Sequence, residues 1–511
     1  MLAIINSCGF LGIDGYLLKV EVDVAPGLPV FDIVGLPDAS VKESKERVRS
    51  AIRNSDFEFP MRRITVNLAP ANIKKEGSLL DLPIAIGILT ATGQIPLDNN
   101  LNRSAFIGEL SLEGALRGIP GVLAMSDTLA NNSEVDNFYL PQENAGEAAI
   151  VDNINCYGIA DLRSLVRILQ GEEVISPVKK DMNFLFAVKQ VDDDLDFADV
   201  KGQDGVKRAL EIAAAGGHNI VLIGPPGSGK TMLARRLPSI LPDLTLEESL
   251  QISKLYSICR LLPKGQALIT RRPFRSPHHG ASAASIIGGG AHPKPGEISL
   301  ATHGILFLDE MPEFSRDVLE ALRQPLEDNT VTVSRVSCRI SFPAQFQLVG
   351  ALNPCPCGYY GDNVKECTCT QHMIDKYLAK ISGPLWDRLD LHIQVPRVMY
   401  SDIADSKKGE SSQEIKKRVM AARTIQIRRF QGENISDNAH MPRKYLEKFC
   451  FLDEMSQAMM KEAFHSLQLS ARSYDRILKV ARTIADLANE ENISLEHLAE
   501  AIQYRKLDRN L

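Results

Sequence analysis

A glycine-rich run of eight residues constrains the fold of this chain more than any other feature. It reads Gly224, Pro225, Pro226, Gly227, Ser228, Gly229, Lys230, Thr231, between an apolar stretch at 219–223 and a helical pattern at 232–237. A loop between strand and helix can turn backbone N–H groups toward phosphate, and the helix N-terminus adds a favourable dipole. The run predicts a phosphate-binding loop in which Lys230 contacts the β- and γ-phosphates of ATP and Thr231 binds Mg²⁺. The alternative is a chance match of a short glycine motif, and both flanks argue against it.

Two further strands of the same region end in polar side chains. The apolar run 305–308 is followed by Asp309 and Glu310, and the run 346–352 is followed by Asn353. Beside a phosphate-binding loop, Asp309 suits contact to Mg²⁺ through a water molecule, Glu310 suits polarising the attacking water, and Asn353 suits sensing the γ-phosphate. The alternative is a strand that simply ends in acidic turn residues. Strands and helices alternate over 200–395, which predicts an α/β core with a parallel sheet.

Length and pattern divide the 511 residues into about three domains. Residues 1–174 predict an α+β domain, with strands at 18–24 and 64–68 and a helix at 41–54. Residues 175–199 are a charged connector that contains Lys179, Lys180 and an acidic run at 192–194. The ATPase core spans 200–395 with a cysteine-rich insertion at 355–369, and 396–511 is helical by pattern.

Membrane and secretory classes are not expected from the sequence. The most apolar stretch, 79–95, contains Asp81, Pro83 and Gly87, which favours a buried helix over a membrane span. The first residues lack the basic segment of a signal peptide, so we expect a cytoplasmic protein without a membrane partner. A net charge of −6 argues against a wholly basic surface, so any contact with nucleic acid must come from local basic loops.

Four of the nine cysteines are close together in sequence: Cys355, Cys357, Cys367 and Cys369. Two closely spaced thiol pairs in a reducing compartment predict a structural Zn²⁺ site with four thiolates. Because each pair is spaced Cys-x-Cys rather than Cys-x-x-Cys, free thiols and a redox pair remain alternatives, and His372 is an alternative ligand. The other cysteines, Cys8, Cys156, Cys259, Cys338 and Cys450, are expected to pack as small apolar residues.

Several longer motifs complete the pattern. They are Phe31-Asp32-Ile33-Val34-Gly35-Leu36-Pro37, Phe274-Arg275-Ser276-Pro277-His278-His279, Gly288-Gly289-Gly290, Pro295-Gly296-Glu297-Ile298-Ser299-Leu300-Ala301 and Ser382-Gly383-Pro384-Leu385-Trp386-Asp387-Arg388-Leu389-Asp390. With these motifs the chain resembles, over 1–503, the Mg-chelatase-like AAA+ ATPases called YifB or ComM. The resemblance implies a hexameric ring ATPase that acts as a DNA helicase in branch migration, as incoming strands recombine during natural transformation.

The resemblance also implies roles for two arginines. Arg388 matches the arginine finger that completes a neighbouring subunit's site, and Arg472 matches the lid arginine that senses nucleotide within its own subunit. From the residues alone, either side chain could equally be a surface salt-bridge partner.

Two basic segments are candidates for contact with DNA in the pore of such a ring. The first comprises Arg271, Arg272, Phe274, Arg275, His278 and His279, and the second is a predicted hairpin at 331–342 with Arg335 and Arg339. Cations can follow a phosphate backbone and aromatic rings can stack on bases. The alternative is a subunit interface without DNA contact. The glycines at 288–290 predict a mobile first segment, and a basic helix at 416–429 is expected to be a solvated face.

The first domain resembles the proteolytic domain of Lon, whose chemistry needs a serine nucleophile and a lysine base. Here Leu79 stands at the serine position, next to Ser78, and Ala124 stands at the lysine position. The domain is therefore expected to be a ring-building or DNA-guiding scaffold rather than a protease.

Three alternatives to a DNA motor follow from the same sequence. A metal-insertion motor subunit of Mg-chelatase type shares the ATPase core, but the Lon-like domain and the four cysteines are foreign to it. The chain also lacks an Asp-x-Ser-x-Ser motif for metal adhesion. A protein-remodelling ATPase is the second alternative, and a Lon-like protease is disfavoured by Leu79 and Ala124. The partners expected for a DNA motor are ATP, Mg²⁺, single-stranded or branched DNA, further copies of this chain and recombination proteins.

Overall fold

The computed structural model describes residues 1–179, 195–263, 265–290, 293–334, 339–362, 364–398, 409–433 and 435–505. Most of the predicted connector, residues 180–194, lies outside these ranges, as do Arg335 and Cys338. The chain forms two compact units, of which the first comprises Met1–Lys189 and Leu246–Thr270 and the second comprises Gln190–Thr245 and Arg271–Leu511. Residues 246–270, predicted within the ATPase core, thus group with the first unit, and the predicted domain limits remain predictions.

The first unit is built on a mixed sheet of seven strands in the order β3-β4-β2-β1-β5-β8-β9. The strands of this sheet are β1 Leu2–Leu11, β2 Asp14–Ala25, β3 Phe31–Val34, β4 Arg63–Ala69, β5 Ser104–Phe106, β8 Asn137–Pro141 and β9 Asn155–Ile159. Strands β6 Glu109–Leu110 and β7 Leu116–Arg117 form a separate antiparallel pair. The helices in the first segment of this unit, before residue 190, are α1 Ala39–Asn54, α2 Asp81–Ala91, α3 Asn99–Asn102, α4 Val122–Ala130, α5 Ala145–Ala148 and α6 Leu162–Leu169.

Packing in the first unit confirms the predictions from periodicity. Leu18, Val20, Val22 and Val24 all point into the core from β2, because alternate side chains of a strand share one face. Helix α1 buries Val41, Val48 and Ile52 on one stripe. Every residue of α2 is buried, which confirms that the most apolar stretch is a core helix. Gly87 allows this close approach, since a Cβ there would lie 2.5 Å from Val22 Cγ2.

The second unit contains a parallel sheet of five strands in the order β11-β14-β17-β10-β18, which confirms the predicted α/β core. Its strands and hairpins are β10 Ile220–Ile223, β11 Phe274–Arg275, β12 Gly288–Gly289, β13 Lys294–Pro295, β14 Ile305–Leu308, β15 Thr330–Ser334, β16 Arg339–Pro343, β17 Gln347–Leu352 and β18 Leu391–Gln394. All residues of β10, β14 and β17 are buried, as expected for parallel strands covered on both faces.

Helices cover this sheet and continue to the end of the described chain. They are α7 Asp204–Gly216, α8 Lys230–Arg236, α10 Ala283–Ile287, α11 Glu297–Leu300, α12 Arg316–Ala321, α13 Pro325–Asp328, α14 Gln371–Leu378, α15 Gly383–Trp386, α16 Ser412–Arg429, α17 Arg443–Phe449, α18 Glu454–Ser466, α19 Ala471–Leu487 and α20 Leu495–Gln503. Helix α9, Leu246–Ile258, belongs to the first unit. The described part of 409–505 contains helices and no strand, which confirms the helical pattern predicted there.

Two local predictions need correction or completion. Residues 274–275 pair with β14 as a strand of the parallel sheet, so the prediction of a loop is wrong for these residues. The cations of the basic helix α16 are paired rather than simply solvated, because Lys416 contacts Asp243 and Arg418 contacts Glu211. Among the described residues, none of the helices has the length and apolar composition needed to cross a lipid bilayer.

Candidate nucleotide-binding site

The glycine-rich run forms the turn between β10 and α8. Gly227 and Gly229 adopt positive φ angles of 79° and 87°, which only glycine adopts without strain. A Cβ at Gly224 would lie 2.3 Å from the carbonyl oxygen of Val395, so a side chain cannot be accommodated there. The Ser228 hydroxyl is buried and has no hydrogen-bond partner among the described residues. The loop therefore presents small residues, a helix N-terminus and a free hydroxyl, which fits a phosphate ligand with acceptor oxygens.

The carboxyl ends of three neighbouring strands bring the predicted catalytic residues together. Lys230 Nζ lies 3.2 Å from Asn353 Oδ1, at the end of β17, and donates to the carbonyl oxygens of Gly224 at 2.7 Å and Pro225 at 3.0 Å. Thr231 Oγ1 donates to Asp309 Oδ2, at the end of β14, over 2.7 Å. A hydroxyl and a carboxylate in contact are oxygen ligands of the kind that Mg²⁺ prefers.

Lys230 is partly buried, which affects its charge. Burial lowers the pKa of the ammonium group, and the carboxylates of Asp309 and Glu310 oppose this effect. A bound polyphosphate adds negative charge next to the ammonium group and therefore stabilises its protonated form.

Glu310 has a strained backbone, with a φ of 51° in the left-handed region. Its backbone N–H donates to Asp309 Oδ1 over 3.0 Å, which fixes the turn between the two acidic residues. Its side chain is exposed, and Oε2 lies 3.5 Å from Nδ1 of His279. His279, a predicted DNA contact, thus lies beside the carboxylate that is predicted to polarise water.

Gln203 is a residue of this site that the sequence did not reveal. It adopts a left-handed conformation with a φ of 58° immediately before α7. Its side-chain Nε2 donates to the carbonyl oxygens of Ser228 at 2.8 Å and Pro396 at 3.0 Å. Gln203 thereby holds the phosphate-binding loop against the segment that follows β18. The only local signal was the turn sequence Gly202-Gln203-Asp204-Gly205 before a helical pattern.

The two predicted arginines converge on one carboxylate. Arg388 forms an ion pair with Glu327, and Arg472 Nη2 lies 3.4 Å from the same carboxylate. The Arg388 side chain is 5 % exposed, whereas that of Arg472 is 58 % exposed. The Arg388 hydrogen bond is the main cause of a lowered pKa at Glu327.

The sheet register places Arg388 away from the nucleotide loop of its own chain. Leu391 pairs with Ile220, at the start of β10, so Arg388 precedes the amino ends of these parallel strands. The phosphate-binding loop follows their carboxyl ends. Because Arg472 shares Glu327 with Arg388, its guanidinium group also lies at the amino edge.

A buried polar network anchors the Arg388 backbone. Its carbonyl oxygen accepts from Asn219 Nδ2 at 3.1 Å and from Arg476 Nη1 at 3.0 Å. Asp390, with a side chain only 4 % exposed, accepts the Asn219 backbone N–H at 2.9 Å and forms an ion pair with Arg476. Burial alone would raise the pKa of Asp390, but Arg476 and His218 hold it below its usual range.

The cysteine cluster lies beside the same strand ends, in the loop that follows Asn353. The structure brings the sulfur atoms of Cys355, Cys357, Cys367 and Cys369 within 4.8 Å of one another. His372 is not part of this group within the described residues. Of the remaining cysteines, Cys8, Cys156 and Cys450 are buried as predicted, and Cys259 is half-buried.

Most of the first basic segment is engaged within the fold. Arg272 donates to the carbonyl oxygens of Pro242 and His303, Arg275 pairs with Glu297 at 2.7 Å, and the ring of Phe274 stacks on Phe307. Arg271 and His278 are exposed, and so is Arg339 on β16. The hairpin predicted at 331–342 is present as β15 and β16, which pair antiparallel.

In the first unit, the positions that would carry Lon-type chemistry are apolar and buried. Leu79 is 9 % exposed and Ala124 is 1 % exposed. The hydroxyl of Ser78 donates to Glu109 rather than to a lysine.

Comparisons with known proteins match over nearly the whole chain. Three family descriptions match it: "Magnesium chelatase, subunit ChlI" over 196–403, "Subunit ChlI of Mg-chelatase" over 20–144 and "Magnesium chelatase, subunit ChlI C-terminal" over 409–505. The chain is 43 % identical to YifB of Salmonella typhimurium over 512 residues, covering 100 % of this chain and 98 % of YifB. It is 44 % identical to the competence protein ComM of Haemophilus influenzae over 514 residues, with the same coverage. Identity to a magnesium-chelatase subunit ChlI homolog of Methanocaldococcus jannaschii is 23 % over 254 residues, covering 45 % of this chain and 67 % of that protein.

Proposed function

Because the chain belongs to the YifB and ComM family of Mg-chelatase-like AAA+ ATPases, we propose that it forms a ring in which ATP hydrolysis drives movement on DNA. In this proposal the ring is a hexamer and its activity is branch migration of recombining DNA. The printed name of the ComM relative, a competence protein, supports a role in the recombination of incoming DNA.

The observation that carries the ATPase part is the convergence of four polar side chains at three strand ends. Lys230 and Thr231 come from the phosphate-binding loop, and Asp309 and Asn353 lie within hydrogen-bond distance of them. In the proposed site Lys230 holds the β- and γ-phosphates, and Thr231 and Asp309 hold Mg²⁺, which supplies charge neutralisation of the phosphates. Glu310 orients the attacking water, and Asn353 contacts the γ-phosphate.

The position of the two arginines supports a ring. A guanidinium group at the amino edge of the sheet is on the wrong side for the nucleotide of its own chain. We propose that Arg388 and Arg472 both act on the nucleotide of a neighbouring subunit, with Glu327 holding them together. This differs from the role within its own subunit that the family resemblance implied for Arg472.

Contact with DNA is assigned in this proposal to exposed cations of the second unit. Arg271 and Arg339 are exposed and lie on segments that border strands of the ATPase sheet. His278 is a third candidate, whereas Arg272, Arg275 and Phe274 are engaged in contacts within the fold. Arg335 remains a prediction outside the described residues.

The family descriptions and the relatives bear differently on the chelatase alternative. The description that matches 20–144 is itself that of a chelatase subunit, so the first domain does not separate this chain from chelatase subunits. However, YifB and ComM are among the relatives that match along the full chain, whereas the chelatase homolog matches 45 % of it. The DNA motor is therefore the function that the comparisons favour.

The test is ATP-dependent strand exchange on a labelled four-way DNA junction. We expect wild type to resolve the junction, and Lys230→Ala and Glu310→Gln to lose at least about a hundredfold in rate, because phosphate binding and water activation are removed. Glu310→Gln should retain ATP binding, since the lost carboxylate acts only in the hydrolytic step.

A matched pair of surface variants tests the DNA contact. Arg339→Ala should weaken binding of the junction and reduce its salt dependence, whereas Lys417→Ala removes an exposed cation from helix α16 and should change neither. An enzyme that hydrolyses ATP but neither binds nor moves forked or branched DNA would contradict the DNA motor and favour a protein-remodelling ATPase.

A further inference from the structure

The segment that follows Asn353 has the dimensions of a metal site. Cys355 Sγ lies 3.3 Å from Cys357 Sγ and 3.7 Å from Cys367 Sγ, and the last two sulfurs are 3.6 Å apart. In a tetrahedral site with Zn–S bonds of about 2.3 Å, the sulfurs lie about 3.8 Å from one another. Cys369 completes a group of four whose sulfurs all lie within 4.8 Å. The cluster is therefore the size that one Zn²⁺ ion requires.

Backbone N–H groups point at these sulfurs. Cys357 Sγ accepts from the N–H groups of Tyr359 and Thr368, and Cys367 Sγ accepts from the N–H of Cys369 over 3.4 Å. The N–H of Cys357 in turn donates to Cys369. Such donors stabilise negative charge on sulfur, and metal-bound thiolates commonly have them as outer partners. The sulfurs are also farther apart than the roughly 2.0 Å of a disulfide.

The same loop contacts the phosphate-binding loop. Gly358 follows Cys357 with a φ of 87°, and a Cβ at this position would lie 2.7 Å from Pro226 Cδ. The same Cβ position is 3.8 Å from Asn353 Cγ. Gly358 is therefore packed between a residue of the phosphate-binding loop and the residue predicted to sense the γ-phosphate.

We propose that Cys355, Cys357, Cys367 and Cys369 bind one structural Zn²⁺ ion, and that this ion supports nucleotide binding by fixing Gly358 against Pro226. The metal site is inferred from the geometry of the four sulfurs and does not depend on the proposed ATP site. The coupling rests on the proposed ATP site. If zinc raises the affinity of the protein for nucleotide, bound nucleotide must raise the affinity of the protein for zinc by the same factor.

The metal site is tested on the full-length protein, purified without a metal-binding tag and under reducing conditions. We expect about one zinc per chain by elemental analysis. Replacement by Co²⁺ should give the intense absorption of tetrahedral cobalt bound to thiolates. The double variant Cys357→Ser/Cys369→Ser should lose both signals, and Cys259→Ser, a half-buried cysteine outside the cluster, should keep them. A soluble wild-type protein that contains no zinc and gives no thiolate–cobalt spectrum overturns the site.

The coupling is tested by titrating a fluorescent ATP analogue into wild-type protein before zinc removal, after removal and after zinc is returned. We expect zinc removal to raise the dissociation constant of the ATP analogue at least about fivefold. Adding zinc back should restore the original constant. The same analogue should slow zinc loss to a chelator. Equal affinity with and without zinc overturns the coupling while leaving the metal site in place. Failure of the zinc-loaded protein to bind the analogue at all would instead count against the proposed ATP site.

Discussion

Asp390 is the residue on which the position of Arg388 depends. Its carboxylate is buried, and it contacts Arg476, the backbone N–H of Asn219 and, at 3.6 Å, the imidazole of His218. Breaking a buried ion pair by removing one partner leaves the other charge without compensation. The two donors that hold the Arg388 carbonyl, Asn219 and Arg476, are the same residues that Asp390 contacts. Asp390 therefore positions Arg388 without touching its guanidinium group.

Replacement of Asp390 by Asn should lower the free energy of unfolding by about 3 kcal/mol at neutral pH. The folded-state pKa of Asp390 is below its unfolded value, so its stabilising contribution is present above the unfolded pKa of about 3.9 and is lost as pH falls further. The difference between wild type and variant should therefore shrink below about pH 4. Urea unfolding can be followed by the fluorescence of Trp386, the only tryptophan, which packs against His392 near this network.

Asp387→Asn is the matched control for this measurement, since it makes the same change three residues away on a side chain that is half-buried. Its free energy of unfolding should stay within about 0.5 kcal/mol of that of wild type. If Asp390→Asn is as stable as wild type at neutral pH, the network does not hold the segment.

The residues of the nucleotide site could be predicted because their chemistry fixes their types within short windows. Lys230, Thr231, Asp309 and Asn353 each follow a strand, and parallel strands bring their carboxyl ends to one edge. Gln203 and Glu327 could not be predicted, because each acts through a partner distant in sequence. No local pattern distinguishes a glutamate that pairs with two arginines from one that faces solvent.

At the scale of elements, the periodicity of helix Leu246–Ile258 predicts a buried face but not the unit against which that face packs. Its apolar residues, including Ile252, Leu255 and Ile258, are buried, as a helical pattern indicates. The pattern does not say which partner buries them. In the structure Lys254 pairs with Asp127 at 2.7 Å, and Ser257 accepts the backbone N–H of Gly121 at 2.9 Å. The helix therefore packs within the first unit, although the chain enters and leaves it from the second.

Leu255→Ala should lower the stability of the first unit by about 3 kcal/mol, because it truncates a fully buried side chain on a helix of that unit. The transition reported by Trp386, which lies in the second unit, should not move. Limited proteolysis followed by mass spectrometry would report on the first unit.

Ile477→Ala, at a buried position of the second unit, should give the opposite result and shift the Trp386 transition. A shift of that transition by Leu255→Ala would mean that the helix is energetically part of the ATPase core, in agreement with the predicted limits of 200–395.

At the scale of the whole molecule, the proposed ring makes each active site a property of two chains. The phosphate-binding loop of one subunit and the arginines of the next must combine at each interface. Variants that damage different halves of the site can then complement one another in a mixed ring. A site formed within one chain does not allow this.

We expect Lys230→Ala and Arg388→Ala each to be inactive alone, and an equal mixture to recover ATPase activity. Random mixing joins an intact loop to an intact arginine at about a quarter of the interfaces, so the expected recovery is about a quarter of wild type. Mixing Lys230→Ala with Arg472→Ala should give the same recovery if Arg472 acts on the neighbour. No recovery with Arg472→Ala, alongside recovery with Arg388→Ala, would return Arg472 to its own subunit's nucleotide.

The strand β10 spans only four residues, Ile220–Ile223, with Asn219 at its start and Gly224 at its end. Asn219 holds the Arg388 carbonyl, and Gly224 begins the phosphate-binding loop. Asn219 and Gly224 flank the strand and are five residues apart, so along extended backbone the two anchoring points lie about 17 Å apart. In a closed ring, a subunit that changes its nucleotide state would therefore alter the group it lends to its neighbour through a rigid connection. In the proposed ring, this buried strand is the direct covalent path between the nucleotide of one subunit and the arginine that acts on its neighbour's nucleotide.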